Sequence, residues 1–158
     1  MKMIKVKDVM TVDPFFIKPN QSVLEAARLM RVVGCGVLPV GSEDKVVGII
    51  TDRDIVVRVV SEDKNPETTK VQDVMTKKVY SCDESDGIEH AAEIMREHNV
   101  SRLLVIKGKR VAGIISTACL LRNKGNVEQS DKVLHGLLGC APHSEHSSKK
   151  LMVGCGCD

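Results

Sequence analysis

Val6-Lys7-Asp8-Val9-Met10-Thr11 is written a second time, with one exchange, as Val71-Gln72-Asp73-Val74-Met75-Thr76. The same spacing carries the match onward without a gap: Ala26-Ala27 returns as Ala91-Ala92, Met30-Arg31 as Met95-Arg96, and Gly48-Ile49-Ile50 as Gly113-Ile114-Ile115. A unit this long, present only twice, is too large and too few for a solenoid. It reads as one folding unit duplicated, with the copies packed on a pseudo-twofold axis. A cleft between such copies is the expected place for a small ligand.

Each copy reads as β-α-β-β-α, a three-stranded sheet with helices on one face. The entry hexapeptide is followed by a short extended piece, Phe15 to Pro19 or Val79 to Cys82. A helix follows, with Val23, Ala26, Ala27 and Met30 at helical spacing and Ile88, Ala91, Ala92 and Met95 in their place in the second copy. Two strands come next, over 37–40 and 46–50 in the first copy and over 102–106 and 111–115 in the second. A final helix opens at Thr51 or Ser116. The class is α+β. We divide the chain into a first copy (1–60), a polar linker containing Pro66 (61–70), a second copy (71–122) and a tail (123–158).

Composition sets bounds on function. The chain has 158 residues, enough for one sizeable core, with 42% apolar and 28% charged residues. Aromatics make up only 2%, so the core must be aliphatic and there is no stacking platform for single-stranded nucleic acid. A net charge of +2 gives no field to draw in nucleic acid or a membrane surface. No apolar run reaches membrane-span length and no signal-peptide core opens the chain, so a cytoplasmic protein is expected. In a reducing compartment Cys35, Cys82 and Cys119 read as small hydrophobes.

The duplicated pattern, the Asp-Val-Met-Thr entry and the stretch Gly48-Ile49-Ile50-Thr51-Asp52-Arg53-Asp54 resemble a pair of CBS domains, the family named after cystathionine β-synthase. The resemblance covers about 6–122. It implies a regulatory module that binds an adenosine-containing ligand (AMP, ADP, ATP or S-adenosylmethionine) in the inter-copy cleft, forms a homodimer and signals to an effector protein that this sequence does not identify. It implies no catalysis, and no Ser/His/Asp set, paired acids or phosphate loop can be assembled here.

By the same resemblance Thr51 and Asp54 meet the ribose, Thr11 and Phe15 lie by the adenine, and Arg102 meets phosphate. On spacing alone Thr51-x-x-Asp54 is also a capping box, and the two readings are compatible. The second copy departs from the pattern: Ser116 keeps the hydroxyl, but Cys119 stands where the acid should be. Arg102 has Val37 as its counterpart. One competent site holding both Asp54 and Arg102 is therefore expected, with the other degenerate. Arg102 as a solvated strand-end charge is the competing reading. Arg53 and Arg58 read as surface charges, and His90 and His98 as solvent-facing.

The tail carries Cys140, His143, His146, Cys155 and Cys157. These ligand types suit zinc, and four of them are enough for a tetrahedral site. The Cys-x-Cys pair equally suits copper(I) or thiol exchange, and the spacing matches no zinc-finger pattern. A metal- or thiol-sensing scaffold is thus the alternative function, against a plain polar end whose thiols merely oxidise.

Overall fold

The computed structural model describes residues 3–122. The proposed tail ligands Cys140, His143, His146, Cys155 and Cys157 lie outside the described residues. In the first copy a single turn at Val6–Asp8 leads to β1 (Thr11–Val12), α1 (Val23–Val33), β2 (Val37–Ser42), β3 (Lys45–Thr51) and α2 (Asp52–Ile55), which runs on as a turn of wider radius over Val56–Val60. The second copy follows as α3 (Val71–Val74), β4 (Ser81–Asp83), α4 (Ile88–Glu97), β5 (Arg102–Lys107), β6 (Arg110–Ser116) and α5 (Thr117–Arg122). No described helix is long and apolar enough to cross a membrane.

The long helices form where the apolar spacing puts them. α1 buries Val23, Ala26 and Met30, and α4 buries Ile88, Ala91, Ala92 and Met95. Ser22 caps α1 by accepting from the Glu25 backbone N–H, while the Glu25 carboxylate accepts from the Ser22 N–H. Gly34, at φ +68°, closes the helix in the left-handed conformation that glycine adopts without cost.

The two cores are built by exchange. Val6 packs with Ile88, Ala92 and Leu103 of the second copy, and Val71 and Val74 pack with Val23, Leu38 and Ile50 of the first. Backbone pairing repeats the exchange: Thr11 is opposite Ile114, and Thr76 is opposite Ile49. Those pairs are equivalent under the repeat, which is the contact pattern a pseudo-twofold axis generates. Gly113 and Gly48 make it possible. A Cβ on Gly113 would lie 2.6 Å from the Thr11 carbonyl oxygen, and one on Gly48 would lie 2.8 Å from that of Thr76. Each repeat thus enters on one core and continues in the other.

The copies differ in one respect that the repeat conceals. The second sheet has four strands in the order β1-β6-β5-β4, whereas the first has only the β2-β3 pair with single bridges beside it. A third strand was expected over Phe15 to Pro19, and only Ile17 pairs, with Val40. In the second copy the Leu104 N–H donates to the Tyr80 carbonyl at 3.0 Å. Its counterpart in the first copy is Pro39, which has no N–H to give. The strand therefore shrinks to one bridge.

Candidate functional site

A cavity of about 600 Å³ lies between the copies. The entry segment supplies Thr11 and Phe15, the loop after α1 supplies Cys35, β5 opens it with Arg102, and Ser116 and Cys119 close it at the head of α5. Thr11 reaches this place because β1 crosses to pair with β6. Phe15 stays 56% exposed. Its ring forms one wall of the opening.

The structure divides the five residues expected to meet one ligand. Thr11, Phe15 and Arg102 line this cavity with Cys119, whereas Thr51 and Asp54 are not among its lining residues. Asp54 is thus placed apart from Thr11 and Phe15, and the reason is the crossing of the entry segments. Thr11 goes to the Cys119 end of the cleft and its counterpart Thr76 goes to Asp54. Arg102 also borders a small void with Ile49 and Tyr80, which places it at the boundary between the two ends.

At the other end Asp54 is only 9% exposed. Its Oδ2 accepts from the Thr51 N–H at 2.9 Å and the Thr51 hydroxyl at 2.8 Å, and Thr51 Oγ1 accepts from the Asp54 N–H at 3.1 Å. The capping box is therefore present. Its Oδ1 receives the Thr76 hydroxyl at 3.3 Å and faces the Arg58 guanidinium at 3.5 Å. The cap at the Cys119 end is weaker chemistry: Ser116 Oγ accepts from the Cys119 N–H and donates to its sulfur, each at 3.2 Å. Sulfur is a poor acceptor beside a carboxylate.

Arg58 is the partly exposed charge expected from sequence, and it also makes a contact the sequence does not show. Its Nη1 donates to the carbonyls of Val74 at 2.7 Å and Met75 at 3.1 Å, so it clamps the second entry segment onto the first copy. No local signal marks such a contact, since its partners are main-chain atoms far along the chain. Arg53 is exposed, as expected. His98 is exposed too, but its ring stacks on Tyr80 at 4.0 Å. Tyr80 is the counterpart of Phe15, so the Asp54 end carries a stacked aromatic pair where the cavity has a free ring. Among the described residues no group of three or more His, Cys, Asp or Glu is placed to hold a metal ion.

The model of the CBS domain matches residues 6–61 and again 71–125. The chain belongs to the CBS domain family. Among curated relatives of this CBS pair, the uncharacterized protein YlbB of Bacillus subtilis is 34% identical over 134 residues, covering 84% of this chain and 90% of YlbB. Among solved structures, the CBS domain pair of protein MJ0100, in complex with 5-methylthioadenosine and S-adenosylmethionine, is 29% identical with a TM-score of 0.69. The match covers 77% of this chain and 95% of that one. Hypoxic Response Protein I, a protein of Mycobacterium tuberculosis whose crystal structure has two coordinated zinc ions, is 30% identical with a TM-score of 0.64. There the match covers 76% of this chain and 98% of that one.

Proposed function

We propose that this CBS pair is a non-catalytic regulatory module that binds an adenosine-containing ligand in the cleft between its copies and passes occupancy to a partner protein. The observation that supports it most is the cavity itself, because both copies contribute to it and its mouth combines the Phe15 ring, the Arg102 guanidinium and hydroxyls. Its 600 Å³ lies in the range of ordinary ligand pockets. The adenosine ligands on the related MJ0100 pair point the same way. A ligand held by both copies favours one arrangement of the two, which is how a cleft without chemistry transmits a signal. In this reading Thr51 and Asp54 form the ribose-reading end of the cleft, the module works as a cytoplasmic homodimer, and the effector is a separate protein.

Calorimetric titration with AMP, ATP and S-adenosylmethionine, on the native chain and on Asp54→Ala, tests the reading. Saturable binding of at least one ligand is expected, with a component lost in the variant. No heat from any of the three removes the nucleotide function. The zinc ions of Hypoxic Response Protein I keep a second reading in play, in which Cys140, His143, His146, Cys155 and Cys157 hold zinc and the CBS pair is its scaffold. Elemental analysis of protein purified without chelator decides it: about one zinc per chain supports this reading, and a metal-free chain rejects it.

A further inference from the structure

The two ends of the cleft are equivalent under the repeat, yet their charged groups differ. At the Asp54 end the acid stands on the helix, and the entry segment brings Lys77 and Lys78. At the cavity end the helix has Cys119 in place of the acid and Arg122, the counterpart of Val57, one turn further on. The entry segment there has Val12 and Asp13 in place of the two lysines. Arg122, Cys119 and Arg102 all line the cavity, and so do Ser101, Ser116 and Thr117 with their hydroxyls.

This set cannot read a ribose as a carboxylate does. Two vicinal hydroxyls need a paired acceptor, whereas the Cys119 sulfur is a weak acceptor already occupied by the Ser116 hydroxyl. Guanidinium groups offer only donors, in a fork that matches phosphate oxygens. Loss of the acid also removes the charge that would repel a phosphate from the helix side. Among the described residues one carboxylate lines the cavity, that of Asp13, exposed on the entry segment where its backbone N–H donates to the Ala112 carbonyl.

We infer that the Cys119 cavity recognises an adenine nucleotide by its phosphate, held by Arg122 and Arg102, and is indifferent to the ribose 2′- and 3′-hydroxyls. The inference rests on the adenosine-binding reading above and narrows it: the two ends of one cleft have different ligand requirements.

The test is calorimetry on the full chain with three probes: AMP, 2′,3′-dideoxyadenosine 5′-monophosphate and adenosine. The dideoxynucleotide is expected to bind one site per chain, within about threefold of AMP at that site, and adenosine at least about tenfold more weakly, because it lacks the phosphate that both arginines hold. Arg122→Ser, at an exposed position, should weaken the dideoxynucleotide by about tenfold or more. Cys119→Asp should weaken it as well while leaving AMP bound. If AMP binds but the dideoxynucleotide does not, or if Arg122→Ser changes nothing, this inference falls and the regulatory reading stands. If no probe binds, both fall.

Discussion

The Thr76 hydroxyl donates to Asp54 Oδ1 at 3.3 Å, so a residue from the entry of the second copy is fastened to the carboxylate of the first. The same carboxylate is the group that the resemblance assigns to a ribose. A ligand arriving at Asp54 must therefore share it with Thr76 or displace it, and Thr76 sits on the segment whose crossing joins the copies. Under the proposed function, occupancy would reach the inter-copy arrangement locally, through this one hydrogen bond.

Arg58 holds that segment from the other side, through the carbonyls of Val74 and Met75. Arg58→Met keeps most of the aliphatic stem and removes the clamp. Its side chain is 43% exposed, so screening reduces the ion pair with Asp54, and the main loss is the two carbonyl contacts. Denaturant unfolding should show a loss of about 1 kcal/mol. An unchanged midpoint would mean that the clamp contributes nothing to holding the copies together.

The two caps should differ in weight. Thr51→Ala removes a hydroxyl that both accepts from the Asp54 N–H and donates to its buried carboxylate, whereas Ser116→Ala removes one bonded to a thiol. Loss of a cap costs about 1 kcal/mol, and hydrogen bonds to charged groups are the stronger class. Thr51→Ala is expected to cost about 1–2 kcal/mol and Ser116→Ala less than about 1, in parallel urea titrations. Equal costs would show that Asp54 draws no more from its cap than Cys119 does.

Much of this was legible in the sequence, because the repeat is a second measurement of every position. The buried faces of α1 and α4, the β2-β3 and β5-β6 pairs and the Thr51-Asp54 cap all follow from periodicity and capping chemistry. The exchange of entry segments does not, since Val6 reads the same whichever core it enters. The separation of Thr11 from Asp54 is hidden for the same reason: the resemblance assigns both to one ligand, and only the pairing of Thr11 with Ile114 places them at different ends of the cleft. Pro39 also carried its meaning in the sequence, as a missing donor in a strand, but only the ladder beside it shows which bond is lost. The tail ligands stand outside the repeat, where no second copy checks the reading.

The close approach of the entry segments makes a sharp claim about two glycines. In Gly113→Ala the new methyl meets the Thr11 carbonyl oxygen at 2.6 Å and the Met10 sulfur at 2.8 Å. The sulfur ends a flexible chain and can move, but the carbonyl belongs to a paired strand. Separation of β1 from β6 is expected, with a loss of about 1–3 kcal/mol. Gly48→Ala should behave alike. Wild-type stability in both variants, measured by thermal melting, would contradict the crossed arrangement. Gly108→Asn is the control: no atom lies within 4 Å of a Cβ there, and Asn tolerates its φ of +63°.

The thiols of the described residues should separate by reactivity. Cys82 is 6% exposed in the second core, and burial, reinforced by the nearby Asp86 and Asp83 carboxylates, pushes its thiol up to about 12 from an ordinary 9.0. Cys35 and Cys119 are half-buried and line the cavity. In a chain with Cys140, Cys155 and Cys157 changed to Ser, an aromatic disulfide reagent at pH 8 should titrate two thiols in the native state and a third only on unfolding. Saturating AMP should slow the two native reactions if the nucleotide occupies the cavity. The raised value of Cys82 has a sign. Its neutral form is favoured by the fold, so its contribution is complete below pH 9 and falls as pH rises from 9 towards 12, when the unfolded chain ionises first. Cys82→Ala should flatten stability between pH 9 and 11 at the cost of a small cavity. An unaltered pH slope in that variant would show that Cys82 is not the group responsible.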